Sequence, residues 1–432
     1  MVTAALVNLW GQLVGAVAWQ EEEGYASFEF DPSFLKQGLD MAPVIMPIST
    51  LPQGQGIFNF PALPKETYYG LPGFLADSLP DRFGNRLIDI WLATQGRTPE
   101  SMNPVERLCY VGNRGMGALE FEPMIKRGKN TPQPLEIDDL VRLAKDALEQ
   151  KEGLSADLSK DAGKALQEIL LVGTSAGGAR AKAIIAWNEE TGKVVSGQLL
   201  APKGFSHWII KLDGVTNDML GDPKGYGRIE YAYYKMAIDC GISMSESRLL
   251  QEGGRAHFMT KRFDRIENNQ KLHMQTLCGL CHFDYNSPGA YAYEQAFQTM
   301  RQLRLPYTDA EQLYTRMVFN VISRNMDDHT KNIAFLMNQD GTWRLAPAYD
   351  LSYAFNPTNK WLAKHQMTIN GKREDITRDD LLSVGKQMNI KKEKEIIDRV
   401  RSVIDRWSYY AADAGIPLKQ INTIGSAHLI DL

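Results

Sequence analysis

Acidic and amide side chains gather in one short stretch, "RNMDDHTKNIAFL" at residues 324–336, directly before an apolar run that predicts a buried strand. Asp327 and Asn332 stand in a D-x-x-x-x-N relation, and "LAPAYDLS" supplies a further acid, Asp350, after the next strand-like segment. An aspartate in such a loop can accept a proton from a hydroxyl group. Carboxylate and amide oxygens are the hard ligands that Mg²⁺ prefers. The stretch therefore predicts acid–base chemistry beside a magnesium ion.

A glycine-rich loop, "GTSAGGARAKA" at residues 173–183, lies upstream of this stretch. Glycines let the backbone approach phosphate oxygens and present its amides to them. The loop lacks the GK[ST] of a Walker A motif, and "KAIIAW" after it reads as a strand, so it resembles the loop that covers nucleotide phosphates in protein kinases. An ordinary flexible hairpin is the alternative. The nucleotide interpretation makes these residues candidate ligands: Ser175, Ala176, Gly177, Gly178, Ala179, Arg180 and Lys182.

Two charged residues follow at the positions that a kinase site requires. Lys211 ends the apolar run "HWIIK", where it would bind the α- and β-phosphates, and Glu230 in the amphipathic "RIEYAYYKMAIDC" would hold that lysine by an ion pair. Each of these residues also has a purely structural interpretation. Lys211 can be an edge residue of a strand and Glu230 a surface residue, and aspartates are common in turns and helix caps. The ordered series from glycine loop to Asp350 favours the kinase interpretation.

Three residues of the opening stretch keep more than one interpretation. His329 could orient Asp327 or contact the γ-phosphate, or it could simply hydrogen-bond to a backbone carbonyl. Lys331 is a further candidate for the nucleotide site. Asp328 could cap the loop.

Composition excludes several classes of protein. The 432 residues carry a net charge of −4, so no nucleic-acid surface extends over the whole chain. Four cysteines argue against a disulfide scaffold. "CGLCH" at residues 278–282 matches haem-attachment, redox and metal patterns, yet two semi-buried thiols are the preferred interpretation. The N-terminal run lacks the basic region of a signal peptide, and no segment has the length and apolarity of a membrane span, so we expect a cytoplasmic protein without a membrane partner.

The elements that must position these residues suggest an α+β, protein-kinase-like bilobal fold. Residues 1–135 form an N-terminal mixed α/β module that opens with a hairpin turning near Gly11 and Gln12, and "IKRGKNTPQP" is the linker candidate that ends it. Residues 136–265 form a small β-rich lobe with the glycine loop. Residues 266–432 form a larger helical lobe that contains the D-x-x-x-x-N stretch.

At this point the motifs resemble those of the HipA family of serine/threonine-kinase toxins. "SAGGARAKA", "WIIK", "RFDR", "NMDDHTKN" and "LAPAYD" occur in that order, and "LWGQLVGAVAW", "LPGFLADSLPDRFGN" and "VGNRGMGALEFEP" resemble the family's amino-terminal domain. The resemblance implies that Asp327 is the catalytic base, that Asn332 and Asp350 bind magnesium, and that Lys211 contacts the phosphates of ATP.

The same resemblance implies a hinge beside adenine made by Lys261, Arg262, Phe263 and Asp264, with Asp264 near the ribose. It also implies that Ser175 is a regulatory serine whose autophosphorylation silences the enzyme, because a dianion in the glycine loop would compete with the phosphates of ATP. Thr174 is a neighbouring candidate. Ala181 and Lys261 depart from many members, whereas no catalytic residue is missing.

Partners follow from the resemblance as expectations. They are a small helix-turn-helix antitoxin of the HipB type, DNA bound indirectly through that antitoxin, and an aminoacyl-tRNA synthetase such as glutamyl-tRNA synthetase as the protein substrate. Two other functions stay open from the sequence. One is a small-molecule kinase of the aminoglycoside-phosphotransferase type, and the other is a catalytically silenced scaffold in a DNA-bound complex.

Overall fold

A computed structural model of the chain describes residues 2–51, 56–125, 135–149, 180–197, 200–215 and 225–432. The chain divides into two compact units. Unit 1 comprises Met1–Leu39, Ile48–Gly227 and Ser247–Met274, and unit 2 comprises Asp40–Pro47, Arg228–Glu246 and Gln275–Leu432. Most of the predicted N-terminal module and most of the predicted small lobe thus belong to the same unit. The division into three domains stays a prediction, and most of the linker candidate lies outside the described residues.

Unit 1 contains two antiparallel sheets. The first has the strand order β4-β3-β2-β1-β5, and the second has the order β7-β6-β8-β10-β9. The strands are β1 (Ala4–Leu9), β2 (Gln12–Gln20), β3 (Tyr25–Phe30), β4 (Ile57–Phe58), β5 (Leu119–Glu122), β6 (Lys182–Trp187), β7 (Val194–Ser196), β8 (Ser206–Lys211), β9 (Ser247–Glu252) and β10 (Arg255–Lys261). Its helices are α1 (Pro32–Leu35), α2 (Lys65–Tyr68), α3 (Gly73–Ala76), α4 (Arg82–Thr94), α5 (Pro104–Val111) and α6 (Ile137–Glu149).

The predicted N-terminal hairpin is confirmed. β1 pairs with β2 so that Leu9 lies opposite Gln12. The two residues between them, Trp10 and Gly11, have φ of 52° and 77°. A two-residue turn with both φ values positive matches the right-handed twist of the strands it joins. The turn therefore fixes the register that places Val7 and Leu9 in the core.

The second sheet of unit 1 shares a core with α4 and α6. Its cluster of buried apolar side chains includes Phe83, Leu140, Ile185 and Trp208. Burying such a side chain stabilises the fold by about 1.5–3 kcal/mol. The Asp81 carboxylate accepts a hydrogen bond from the Gly84 N–H at 2.7 Å and caps α4.

Unit 2 is mainly helical beyond one small sheet. Its helices are α7 (Tyr226–Asp239, which begins at the end of unit 1), α8 (Leu277–Cys281), α9 (Tyr293–Gln302), α10 (Tyr307–Ile322), α11 (Arg378–Gln387), α12 (Glu393–Asp405), α13 (Trp407–Asp413) and α14 (Leu418–Gly425). The sheet has the order β11-β12-β13, with β11 at His273–Thr276, β12 at Ala334–Met337 and β13 at Trp343–Leu345. The predicted strand pair around residues 334–345 is thus confirmed.

The helix α10 runs through the centre of unit 2. Every residue from Leu313 to Ile322 is buried, and a helix buried on all sides belongs to the interior of its unit. All four residues of β12 are buried as well. The chain between α10 and β12 is the predicted catalytic stretch, so it is held at both ends by rigid, buried elements.

Within the described ranges, no helix is long and apolar enough to cross a membrane.

Candidate active site

The loop that carries Asp327 begins where α10 ends. Arg324 adopts the left-handed conformation with φ of 61°, which terminates the helix because a helix cannot continue through it. The N–H of Asn325 still bonds to the Asn320 carbonyl at 2.9 Å. A single 3-10 turn, Thr330–Asn332, then leads into β12. The D-x-x-x-x-N spacing therefore spans the connection between two buried elements.

The side chain of Asp327 is the exposed carboxylate of this loop. It is 51% exposed, although both chain neighbours, Met326 and Asp328, are buried. The side-chain nitrogen of Asn332 donates to the Asp327 carbonyl oxygen at 2.7 Å. This bond closes the loop and leaves the amide oxygen of Asn332 as the atom that can bind a metal. His329 Nε2 lies 3.8 Å from Asp327 Oδ1, beyond hydrogen-bonding distance.

Asp350 lies on the segment that follows β13, with φ of 54°. The preceding residue ties this segment to the loop, since the Tyr349 hydroxyl donates to the Lys331 carbonyl oxygen at 2.5 Å. Among the described residues, no cluster of three or more His, Cys, Asp or Glu could hold a metal by itself. Magnesium is commonly held by one or two carboxylates together with water and phosphates. The amide oxygen of Asn332 and the carboxylate of Asp350 are oxygen donors of the kind that such a magnesium site uses.

Tyr285 is a residue of this region that the sequence interpretation missed. Its ring centroid lies 5.4 Å from that of His329, and Lys331 Nζ lies 4.6 Å from its centroid. The second distance is that of a cation–π contact. Nearby, the Thr330 hydroxyl donates to the Phe283 carbonyl oxygen at 2.6 Å. The segment at 283–285 thus supports the loop, and no signal in a single sequence points to a partner so far along the chain.

Two lysines of unit 1 lie opposite each other on paired strands. Lys211 is the last residue of β8, as predicted, and Lys182 is its register partner on β6. Lys211 Nζ lies 5.8 Å from the centroid of the Phe258 ring. Lys182 is buried, with its Nζ 3.4 Å from Asp81 Oδ2. The Lys182 ammonium group therefore lies beside Asp81, the residue that caps α4. Phosphate binding by Lys182 or by Lys211 stays a prediction.

The glycine loop is described only at its end. The guanidinium carbon of Arg180 lies 3.7 Å from the centroid of the Tyr226 ring, a stacked cation–π arrangement. The remaining loop predictions lie outside the described residues and stay predictions. They concern Thr174, Ser175, Ala176, Gly177, Gly178 and Ala179.

The predicted hinge contains a buried carboxylate. Asp264 has no exposed surface, and its Oδ2 accepts hydrogen bonds from Arg262, Arg265 and the Gly117 N–H, each at 2.7 Å. Burial alone would raise the pKa of this carboxyl, but the charges of Arg262 and Arg265 outweigh burial and hold the pKa well below its usual range. The same burial lowers the pKa of Arg265 to about 10.

These contacts give Asp264 a structural role inside unit 1. Its predicted position near a ribose stays a prediction, and so do the backbone contacts to adenine predicted for Lys261, which is exposed, and Phe263, which is half-buried. Glu230 lies buried on α7 in unit 2. Its predicted ion pair with Lys211 stays a prediction as well.

Comparison with protein-family models identifies both parts of the chain. The model of the HipA-like C-terminal domain matches residues 174–407, more than half of the sequence, and the model of the HipA N-terminal domain matches residues 5–122. The chain belongs to the HipA family. The motifs that carry the family resemblance lie within these two matched ranges, apart from Pro123 at the end of one of them, so the predicted family is confirmed.

Two relatives extend the comparison of this HipA-family chain. One is the HipA chain in a complex of the Shewanella oneidensis MR-1 toxin–antitoxin proteins HipA and HipB with operator DNA. It superposes with a TM-score of 0.68 at 15% identity, covering 98% of this chain and 94% of that chain. At that identity the likeness shows the fold alone, and it confirms the predicted α+β, kinase-like fold.

The other relative is a Sinorhizobium fredii protein named "Putative kinase Y4mE". It is 25% identical over 126 residues, which cover 27% of this chain. The matched stretch spans only 30% of the relative's own length. A match over so small a part of both proteins does not show that they share an activity.

The cysteines of this HipA-family chain agree with the preferred sequence interpretation. The four cysteines form no disulfide. Cys278 and Cys281 lie on α8, and burial raises the pKa of the Cys281 thiol to about 12. A thiol held in its neutral form is a poor nucleophile and a poor metal ligand. Cys278 is buried and Cys281 is half-buried, as the preferred interpretation of "CGLCH" expects.

Proposed function

We propose that this chain is an ATP- and Mg²⁺-dependent serine/threonine protein kinase of the HipA toxin type. Asp327 would accept the proton of the attacking hydroxyl, and the γ-phosphoryl group would be transferred in line to the substrate oxygen. One observation carries the proposal. Asp327 is half exposed in a loop whose neighbouring residues are buried, and the Asn332 side chain closes that loop by a 2.7 Å bond to the Asp327 carbonyl.

The metal would be held by the amide oxygen of Asn332 and the carboxylate of Asp350. A magnesium ion bound there would neutralise charge that develops on the phosphate oxygens. The residues of this chain would position the reacting groups. Asn332 and Asp327 stay at fixed separation through their hydrogen bond, and Tyr349 holds the Asp350 segment against the loop through Lys331. Lys211 would contact the phosphates of ATP.

We propose that the protein acts within a toxin–antitoxin pair. The support is membership in the HipA family together with the fold shared with a HipA that was solved in complex with HipB and operator DNA. The partner would be a small helix-turn-helix antitoxin, which would connect the kinase to DNA. The protein substrate would be an aminoacyl-tRNA synthetase, glutamyl-tRNA synthetase first among them, whose phosphorylation would arrest translation and growth.

Self-inhibition would act through the glycine loop. Phosphorylation of Ser175 would place a dianion where the loop meets the phosphates of ATP. Mass spectrometry of the purified protein after incubation with ATP tests this part of the proposal. The expected result is a phosphoryl group on Ser175, and modification of Thr174 instead would move the assignment by one residue.

The activity itself is tested with labelled ATP and a cell extract in the presence of the purified chain. We expect the label on a protein band, whereas label in a small-molecule fraction would favour a small-molecule kinase. The Asp327→Ala variant should lower the rate of transfer by about 10²–10⁴-fold, the range that a positioned general base contributes. Its affinity for ATP should change little, because Asp327 is proposed to act on the hydroxyl.

Asp340→Ala is the matched control for this measurement. Asp340 is an exposed aspartate of unit 2 that accepts the Thr342 N–H at 2.9 Å in a turn outside the loop. Its removal should leave transfer at the parent rate. Equal rates for Asp327→Ala and the parent would show that Asp327 is not the base.

A further inference from the structure

Asp328, directly after the proposed base, has a role that the kinase motif does not assign. Its side chain is 1% exposed, in contrast to the half-exposed Asp327 beside it. A buried carboxylate persists only where hydrogen bonds compensate for the loss of water. The groups that donate hydrogen bonds to Asp328 therefore indicate its role.

Three groups donate to the two oxygens of Asp328. The Gln366 N–H bonds to Oδ1 at 2.7 Å, the Tyr293 hydroxyl bonds to Oδ2 at 3.0 Å, and His365 Nδ1 lies 2.8 Å from Oδ2. His365 is as buried as Asp328, with 2% of its side chain exposed. The carboxylate thus joins the loop to α9 through Tyr293 and to the segment at 365–366.

The network continues into the helix that precedes the loop. The Asn320 side chain on α10 donates to the Tyr293 hydroxyl at 3.0 Å, and Asn325 donates to the Asn320 side-chain oxygen at 2.9 Å. Gln366 also returns to the loop, since its side-chain nitrogen lies 3.3 Å from the Met326 carbonyl oxygen. The residues on either side of Asp327 are therefore anchored to the same partners.

We propose that Asp328 is the positioning residue of the catalytic loop. It fixes the backbone that follows Asp327, where the Asn332 side chain also bonds to the Asp327 carbonyl oxygen, and the Gln366 side chain holds Met326 on the preceding side. The inference rests on the proposed function insofar as Asp327 is the base. The anchoring of the loop by Asp328 does not depend on the reaction, because one buried carboxylate holds the loop to α9 and to the segment at 365–366.

Asp328→Asn tests the proposal with almost no change in shape. An asparagine has one acceptor oxygen and one donating nitrogen. With its nitrogen towards Gln366, two donors face each other; with its nitrogen towards Tyr293 and His365, both of these groups must change from donor to acceptor. The loop should loosen, and a displacement of about 1 Å at a reacting group can cost about 10²-fold in rate. We expect kcat for phosphoryl transfer to fall by that order while KM for ATP changes by less than about threefold.

Hydrogen exchange supplies a readout that does not depend on activity. Backbone amides at 325–333 should exchange faster in Asp328→Asn than in the parent, because opening of the loop becomes easier. His365→Leu, which removes one donor, should show the same change. His365→Asn places an amide nitrogen near the position of Nδ1 and should restore most of the protection and of kcat.

Asp380→Asn is the matched control. Asp380 is a second buried carboxylate of unit 2, which accepts from the Thr377 N–H and hydroxyl at 2.8 Å and from Lys372 at 2.7 Å. Its substitution disturbs the cap of α11 and should leave kcat and exchange at 325–333 at parent values. A merely destabilising effect would change both variants alike, and that result would overturn the positioning role.

The remaining outcomes separate this inference from the proposed function. Parent values of kcat and exchange in Asp328→Asn would overturn the role of Asp328 and leave the kinase proposal intact. A parent chain that transfers no phosphoryl group would overturn the proposed function, and exchange at 325–333 would then decide alone whether Asp328 holds the loop.

Discussion

Asp264 in unit 1 and Asp328 in unit 2 are both buried carboxylates, and different partners compensate each of them for the loss of water. Neither has more than 1% of its side chain exposed. Asp264 is neutralised by Arg262 and Arg265, two charges that are buried with it. Asp328 is surrounded by the Tyr293 hydroxyl, the His365 imidazole and a backbone N–H. The first is an ion-pair cluster and the second is a hydrogen-bond network.

The difference corresponds to what each carboxylate connects. The Asp264 cluster joins the end of β10 to the glycine-rich turn before β5, because Gly117 donates to Asp264 and the Gly115 and Gly117 carbonyls accept from Arg265. This is a structural connection within unit 1. The Asp328 network consists of hydrogen bonds from a hydroxyl, an imidazole and a backbone N–H, and it holds a loop in which the preceding residue, Asp327, is half exposed. Charge pairing secures the scaffold, while directional hydrogen bonds set the geometry of the loop.

Removal of the carboxylate from unit 1 should have the largest effect on stability. Asp264→Ala removes the carboxylate that pairs with two buried guanidinium groups, and breaking a buried pair in this way costs about 3–5 kcal/mol. Urea denaturation of the full chain measures the free energy of unfolding. Asp139→Ala, which removes half of the exposed Arg142–Asp139 pair, is the control and should stay within about 0.5 kcal/mol of the parent. A loss below about 1 kcal/mol for Asp264→Ala would contradict a cluster held by charge.

Asp328, the buried carboxylate of unit 2, should contribute less than Asp264 to the free energy of unfolding. Asp328→Asn removes no buried ion pair with arginine but breaks the match between a carboxylate and its three donors, which costs about 1–3 kcal/mol. The same urea measurement applies, with Asp264→Asn measured beside it. The comparison between the two regions is wrong if Asp328→Asn destabilises the chain more than Asp264→Asn.

Acid should reduce the contribution of Asp264 to stability. Its pKa in the folded chain is held below the ordinary value of 3.8. The stabilisation is therefore fully present above the unfolded pKa and is lost as the pH falls towards the folded pKa. The difference in unfolding free energy between the parent and Asp264→Asn should shrink by about 1 kcal/mol between pH 5 and pH 3. Denaturation series at those two pH values measure this change, and a difference that grows on acidification would have the wrong sign.

Local structure was predicted well because it depends on neighbouring residues. The hairpin of β1 and β2, whose turn lies one residue before the predicted Gly11 and Gln12, and the position of Lys211 at the end of β8 each follow from residues within one turn or one strand. The loop that carries Asp327 and Asn332 was located by a spacing of five residues, and the hydrogen bond between them spans the same distance.

Partners that are distant in sequence could not be predicted. Asp264 bonds to Gly117 across 147 positions, and Asp328 bonds to His365 across 37. A single sequence shows that both are acids but contains no signal for what lies beside them. Asp264 was therefore placed near a ribose by the family resemblance and Asp328 was assigned to a cap on local grounds, and Tyr285 was not considered.

The sequence by itself determined the family, the order of the elements and the chemistry available in the loop, because residue type, periodicity and short spacings are local properties of the chain. Tertiary structure decided which acids are exposed and which are buried. Met326, Asp327 and Asp328 are consecutive, yet only the middle residue is accessible. The reason is that exposure depends on what packs against the backbone, and here the packing comes from α9, α10 and the segment at 365–366.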